Sequence, residues 1–201
     1  EINGYGFQYK ILARAPAPCP KRAPTPCPKR TPVLCPKREL RGTAANVALK
    51  GSAMAEFDCA PVLLIGFNRP ERLKAQVDRL RAVKPRRLFV AVDGPRPDRL
   101  GEAEIVARTR AAVAAVDWPC DLQTRFLDAN RGCRFAPPEA ISWFLDAAGE
   151  GLILEDDCAP TADFLRFASE LLRRYRDEPR VGMISGDNFY GYQSDPCASY
   201  H

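Results

Sequence analysis

The second part of the chain alternates short apolar runs with longer stretches of helical periodicity. Val62–Phe67 is a continuous apolar run of the buried-strand kind, and Leu73, Val77 and Leu80 then recur at the spacing of one helix face. The alternation continues along the rest of the chain. Because a helix between two strands returns the chain to the same end of the sheet, the pattern predicts a mostly parallel α/β sheet flanked by helices.

Local end signals support these elements. Pro137 and Pro138 suit the start of a helix, Gly149 suits its end, and Thr161 is an N-cap residue for the next helix. The predicted strands cover residues 62–67, 88–92, 122–127, 151–154 and 181–185, and the predicted helices cover about 70–83, 105–116, 137–148 and 161–175.

Residues 1–53 have a different character. They contain ten Lys and Arg against Glu1 and Glu39, a net charge of +8, and residues 16–38 repeat an octad rich in Pro, Cys, Lys and Arg. Proline at this density removes backbone donors, so we predict a disordered Pro/Lys/Arg-rich tail. A polyproline ligand, a basic interaction arm or upstream DNA translated in frame are alternatives, and Met54 is a natural start for the domain at 54–201.

The remaining composition excludes several classes of protein. No run of about 18 apolar residues predicts a membrane span, and no apolar segment of signal-peptide type is present. A single His and scattered cysteines argue against a zinc site and favour a reducing, cytoplasmic location. Since the basic excess belongs to the tail, it gives no reason to expect nucleic-acid binding.

Polar clusters follow each predicted strand. In a parallel sheet these points lie along one edge, where open α/β sheets bind ligands. The clusters are Phe67-Asn68-Arg69-Pro70, Asp93-Gly94-Pro95-Arg96, Asp128-Ala129-Asn130-Arg131-Gly132, Glu155-Asp156-Asp157 and Ser185-Gly186-Asp187-Asn188.

The acidic triplet Glu155-Asp156-Asp157 is the most specific of these clusters. Three adjacent carboxylates repel one another unless a cation or hydrogen-bond donors offset the repulsion. Their hard oxygens suit Mg²⁺ or Mn²⁺, with a phosphate completing the coordination. A solvated acidic loop is the alternative interpretation.

The other clusters are less specific. Asp93, followed by Gly94, suits an acceptor for a base N–H or a ribose hydroxyl, although Asp-Gly is also a common turn. Arg69 is the best candidate for neutralising a diphosphate, and Arg96, Arg131 and Arg134 are further candidates or solvated surface. Asn130 and Gly132 suit a donor-binding loop or a turn, and the rings of Trp118 and Trp143 suit the core or its rim.

These residues carry a resemblance to a known family. The run from about residue 60 to 188 resembles GT-A-fold glycosyltransferases, and is similar to the N-acetylglucosaminyltransferase I family and to family 2 glycosyltransferases. The matching stretches are Leu64–Pro70, Val92–Arg96, Asn130–Cys133, Leu152–Cys158 with Pro160 and Phe164, and Ile184–Phe189. Glu155-Asp156-Asp157 corresponds to the family's D-x-D metal motif.

The resemblance implies a Rossmann-like GT-A domain with a defined site. Asp157 would ligate Mn²⁺ or Mg²⁺, Asp156 would support the metal or contact the ribose, Asp93 would recognise the base, and Arg69 would lie near the diphosphate. The remaining implied donor-binding residues are Asn68, Gly94, Arg96, Asn130 and Gly132. The implied reaction transfers a sugar, with inversion, from a nucleotide-diphosphate donor (a UDP-sugar is favoured) to a glycan or other hydroxyl acceptor.

The sequence departs from the family after the last strand. The family continues with an acceptor-binding half that supplies the catalytic base, so we expect the base beyond the C-terminus and the chain to be a fragment; Asp187 is not assigned as the base. A donor-binding fragment without transfer activity, a nucleotidyltransferase, a response-regulator-like receiver and an inert truncated product are the alternatives. The nucleotidyltransferase would need a Gly-rich loop after the first strand, and none is present.

Two stability expectations accompany this interpretation. Removing residues 1–53 should leave the melting temperature nearly unchanged, since the tail buries little apolar surface. Replacing Asp93 should weaken nucleotide binding without much loss of stability, provided that its carboxylate faces an open cleft.

Overall fold

The computed structural model describes residues 9–12 and 57–186. They form one six-stranded sheet of order β4-β3-β2-β5-β1-β6, with four α-helices and a 3₁₀ turn. The strands are β1 (Tyr9–Leu12), β2 (Val62–Gly66), β3 (Arg87–Val92), β4 (Asp121–Phe126), β5 (Gly151–Glu155) and β6 (Met183–Ser185). The helices are α1 (Pro70–Leu80), α2 (Glu102–Ala111), α3 (Ala136–Ala148) and α4 (Ala162–Tyr175), and the 3₁₀ turn is Ala112–Ala115.

Four neighbouring strands, β4, β3, β2 and β5, run parallel. Each is joined to the next along the chain by a helix, as the alternation of apolar runs and helical periodicity predicted. The α/β class and the mostly parallel sheet are therefore confirmed. The arrangement is consistent with a Rossmann-like fold.

Helices cover both faces of this parallel block. On one face α1, α2 and α4 pack through Leu73, Val106 and Leu165 against alternate strand residues such as Leu64 and Val90. On the other face α3 packs through Ala140 and Phe144 against the intervening strand residues, Leu63, Phe89, Ala91 and Ile153. The central strands are buried on both sides, which explains why they read as continuous apolar runs.

The predicted end signals hold with small differences. The Thr161 hydroxyl accepts a hydrogen bond from the Phe164 N–H at 3.1 Å and caps α4, and Gly149 ends α3 with φ +80°. The second helix is shorter than predicted, because it tightens into the 3₁₀ turn after Ala111. Within α2 Val106 is fully buried, and Ile105 beside it is half-buried.

A strand that the sequence did not predict lies within residues 1–53. β1 pairs antiparallel with β5 and, on its other side, with β6. Four residues are too few to show a strand period, and their pairing depends on partners more than 100 positions away. The rest of the predicted tail, including the octad repeat, lies outside the described residues, and so do Asp187 and Asn188.

None of the helices formed by residues 57–186 combines the length and hydrophobicity needed to cross a bilayer. Within this part of the chain no three Cys, His, Asp or Glu side chains form a group that could hold a metal ion. Cys59, Cys120 and Cys133 carry free thiols.

The position of β1 leads to a first prediction. Ile11→Pro removes one backbone donor from a strand that is paired on both sides, so we expect it to lower the free energy of unfolding by about 1–3 kcal/mol. Ile11→Val keeps the N–H and is the control. Thermal melting of both variants checks this, and equal melting temperatures would show that β1 contributes nothing to the sheet. Deleting residues 1–53 would also remove β1, so from this pairing we expect the deletion to lower the melting temperature instead of leaving it unchanged.

Candidate functional site

Strand register brings the predicted polar clusters to one edge of the sheet. Ile65 of β2 pairs with Glu155 of β5, and Gly66 pairs with Val92 of β3, so the three strands end at nearly the same level. The residues that follow them line a cleft of about 420 Å³, within the size range of small-molecule sites. Seven of the nine predicted donor-binding and metal residues line it, namely Asn68, Arg69, Asp93, Arg96, Asn130, Gly132 and Asp156. Gly94 and Asp157 are not among the lining residues.

The Asp93 carboxylate is fully engaged with the protein itself. Oδ1 accepts from the backbone N–H groups of Gly94 at 2.8 Å and Arg131 at 2.9 Å. Oδ2 accepts from the Gly132 N–H at 2.9 Å and from the Asn130 side-chain amide at 3.0 Å. Four donors match the acceptor capacity of a carboxylate. Asp93 thus fixes the loop at 130–132 against the end of β3.

Close approach of two loops explains the glycine after Asp93. A Cβ on Gly94 would come within 2.3 Å of the Ala129 carbonyl carbon, and Asn130 Nδ2 donates to the Gly94 carbonyl at 2.9 Å. Gly132 has φ +76°, which favours glycine. Asp93, Gly94, Asn130 and Gly132 are therefore one interlocked unit. The condition under which Asp93 was expected to be replaceable at little cost in stability is not met, because its carboxylate is buried and hydrogen-bonded instead of facing an open cleft.

Glu102 is a residue of the site that the sequence did not predict. It is the first residue of α2, 4% exposed, and lies behind the cleft wall. Its carboxylate accepts from the Arg96 backbone N–H at 2.8 Å, from the Arg96 guanidinium and from Asn68 Nδ2 at 3.1 Å. It joins the loop after β2 to the loop after β3. The available signal was weak, since an acid in the first turn of a helix is ordinary.

The same contacts determine the charge state of Glu102. Hydrogen bonds from the Arg96 side chain, together with those from its backbone N–H and Asn68, lower the pKa of Glu102 from 4.5 to about 2. Glu102 is therefore ionised over the whole physiological pH range.

The three acids of the triplet have distinct environments. Asp156 is 9% exposed, Glu155 is half-buried, and the Asp157 side chain is about half exposed. Arg69 Nη1 lies 2.9 Å from Asp156 Oδ1 and 3.6 Å from Asp157 Oδ2. Burial raises the pKa of Asp156, and the nearby Arg69 opposes that shift. Arg69, predicted to lie near a diphosphate, is paired with the triplet in this structure.

Gln76 of α1 holds the backbone of the triplet in place through hydrogen bonds. Its buried Nε2 donates to the backbone carbonyls of Asp156 and Cys158, which lie 80 and 82 positions away in the sequence. Its Oε1 is buried and has no hydrogen-bond partner within the described residues. A helix face otherwise made of leucine and valine therefore contains one amide, and that amide fixes the turn that carries the acids.

The triplet offers carboxylate oxygens of two kinds to a cation. Asp157 is half-exposed, and Asp156 is buried with its charge only partly offset by Arg69. These hard oxygens fit Mg²⁺ or Mn²⁺. Among residues 57–186 no three carboxylate, thiol or imidazole groups converge on one point. The protein would supply one or two ligands, and the other ligands would come from the bound substrate and water.

The remaining candidates lie at the rim or in the core. The Arg131 side chain pairs with Glu139 at 2.8 Å, and Arg134 lies over the ring of Phe135. Trp118 is buried and donates to the Pro85 carbonyl, and Trp143 packs edge-on against Phe89. The placement of both tryptophans in the core or its rim is confirmed.

Comparisons with known proteins add no relative to this picture. No family model matches the chain, and neither the curated proteins nor the solved structures contain a significant match to it.

The engagement of Asp93 leads to a second prediction. Asp93→Asn keeps the side-chain size but turns an amide toward backbone N–H donors, so we expect a loss of about 3 kcal/mol in the free energy of unfolding. Asp128→Asn, on the same loop and exposed, is the control and should be nearly neutral. Urea unfolding of both variants measures the difference. Equal stability would mean that the carboxylate network does not exist in solution.

A third prediction concerns acid stability. Because the folded pKa of Glu102 lies below its ordinary value, its contribution to stability is complete above about pH 4.5 and is lost as the pH falls toward 2. Glu102→Gln should remove that part of the pH dependence. Asp78, Glu139 and Glu178 also have lowered pKa values and contribute to the acid sensitivity of both proteins. The measurement is therefore the difference in free energy of unfolding between wild type and Glu102→Gln, followed from pH 6 to pH 2. A difference that does not shrink with falling pH would contradict it.

Proposed function

We propose that residues 57–186 form the donor-binding part of a metal-dependent glycosyltransferase with the GT-A fold. The observation that carries the proposal is the cleft itself. It is built at the carboxyl edge of the parallel strands and joins Arg69, Arg96, Asn130 and Gly132 with Glu155 and Asp156 of the acidic triplet. Those are the chemical groups that a nucleotide-diphosphate sugar requires, namely donors for phosphate and ribose oxygens and carboxylates for a cation.

The charges of the cleft support a requirement for a cation. Its lining contains the carboxylates of Asp93, Glu155 and Asp156 against the guanidinium groups of Arg69 and Arg96. Both arginines are already paired, with Asp156 and with Glu102. A bare diphosphate would meet net negative charge here and would be repelled. A divalent cation reverses that balance, so nucleotide affinity should depend on metal.

Asp157 and Asp156 would hold the cation, which when bound acts as a Lewis acid on the leaving diphosphate. Arg69 already contacts both acids. Once the cation neutralises these carboxylates, the Arg69 guanidinium would be free to bind a phosphate oxygen beside them. Asp93 keeps the Asn130–Gly132 loop in place instead of reading the base with its own carboxylate. The reaction would transfer the sugar with inversion to a hydroxyl of a glycan or other acceptor.

Titration calorimetry provides the test. We expect UDP and UDP-sugars to bind in Mn²⁺ and to bind at least tenfold more weakly in chelator, because the cation supplies several kcal/mol of charge neutralisation. Asp157→Asn should lose the Mn²⁺-dependent part. Asp163→Asn removes a comparable surface carboxylate on α4, paired with Arg166, and is the matched control.

Melting curves separate the roles of the triplet. Asp157 is half-exposed and 3.6 Å from Arg69, so in chelator Asp157→Asn should change the free energy of unfolding by less than about 1 kcal/mol. Stabilisation by Mn²⁺ with UDP should appear in the wild type and in Asp163→Asn only. Failure of the wild type to bind any nucleotide diphosphate, with or without metal, would end the proposal. A strong loss of stability in chelator would make the triplet a structural network instead of a metal site.

A further inference from the structure

The Glu102 carboxylate accepts hydrogen bonds from two residues that line the cleft. It lies between Asn68, which follows β2, and Arg96, which follows β3. Those two residues are 28 positions apart, and both line the cleft. The Glu102 side chain is only 6% exposed. It therefore acts on the cleft through Asn68 and Arg96, without an open face of its own.

The Glu102 contact determines which way the Asn68 amide points. An ionised carboxylate only accepts hydrogen bonds, so the group 3.1 Å from Glu102 Oε1 must be the amide nitrogen. The Asn68 carbonyl oxygen is consequently directed away from Glu102. Asn68 then presents an acceptor, and the ligand group that suits it is an N–H or O–H donor.

Arg96 is held in the same way. Its Nε lies 3.0 Å from Glu102 Oε2, its Nη2 bonds Oε1, and its guanidinium lies over the Phe67 ring with Cζ 5.5 Å from the centroid. Two of its three nitrogens thus face Glu102, which leaves Nη1 outside the pair. Because the guanidinium charge of Arg96 is neutralised by Glu102, Arg96 would contribute to ligand binding mainly through a directed hydrogen bond and less through net positive charge.

We propose that Glu102 is a positioning residue for ligand recognition: it fixes Asn68 as an acceptor for a nucleoside N–H or O–H group and Arg96 as an oriented donor. The inference rests on the proposed function, since it assigns a role within the same nucleotide cleft. The competing role is purely structural, as an acidic residue at the N-terminus of α2. A structural role would lower thermal stability but leave the affinity of the folded protein unchanged.

A double-mutant cycle on the full chain tests this. UDP affinity in Mn²⁺ is measured for wild type, Glu102→Gln, Asn68→Ala and the double variant, at a temperature well below all their melting points. We expect each single variant to bind UDP roughly tenfold more weakly. The loss of binding free energy in the double variant should be well below the sum of the two single losses. Glu150→Gln, which removes a carboxylate paired with Arg176 on another surface, is the control and should bind like wild type.

Two analogues identify the ligand group that Asn68 meets. CDP lacks the imide N–H of uracil, and 2′,3′-dideoxy-UDP lacks both ribose hydroxyls. Wild type should discriminate against one of them, and Asn68→Ala should lose that discrimination. Equal binding of all three nucleotides by wild type would overturn the acceptor role of Asn68.

A ligand-independent measurement completes the test. In the NMR spectrum of the free wild-type protein the Asn68 side-chain N–H group should be shifted and slow to exchange, and Glu102→Gln should abolish this. If Glu102→Gln does not fold, Asn68→Ala still decides, since it leaves the Arg96–Glu102 pair intact. Wild-type affinity in Glu102→Gln or in Asn68→Ala, or additive losses, would overturn the inference alone. Absence of UDP binding by wild type would end the proposed function and this inference together.

Discussion

Parallel pairing in register is the constraint on which the site depends. Pairing of Ile65 with Glu155 and of Gly66 with Val92 makes β2, β3 and β5 stop at one level, so the chain must turn three times in the same region. The side chains and backbone groups of those turns then face one cleft. A register shift of one residue would move the side chains of the shifted strand to the opposite face of the sheet, where they would no longer match the packing on either side.

Three buried acids near the cleft have different hydrogen-bond partners and different structural roles. Asp93 holds a loop through four hydrogen bonds, Glu102 joins two loops through Asn68 and Arg96, and Asp156 pairs with Arg69. A buried carboxylate without partners would be costly, so each of the three is tied to donors from another segment of the chain. Asp157 differs because its side chain remains half-exposed. It is the acid of the triplet best placed to take a ligand.

The sequence predicted the elements and the edge at which polar groups gather, because apolar periodicity and strand ends are local features. Seven residues predicted from those strand ends do line one cleft. The partners of these residues were not predictable, since hydrogen-bond pairing depends on three-dimensional distance. Asp93 was expected to be an open acceptor and is instead hydrogen-bonded by residues 130–132, and Glu102 lies before the predicted start of the second helix, so it was not singled out. β1 was missed for the same reason, because its strand character comes from pairing with β5 and β6.

The ion pairs of Arg69 with Asp156 and of Arg96 with Glu102 limit how the cleft can recognise a ligand. With Arg69 and Arg96 already neutralised, long-range attraction of an anion is weak, and recognition must come from oriented groups at short range. Such groups work only if they are held still before the ligand arrives. The Asp93 and Glu102 networks supply that rigidity for the Asn130–Gly132 loop and for Asn68 and Arg96. Under the proposed function a divalent cation would supply the positive charge that these ion pairs neutralise, and the half-exposed carboxylate of Asp157 would be available to bind it.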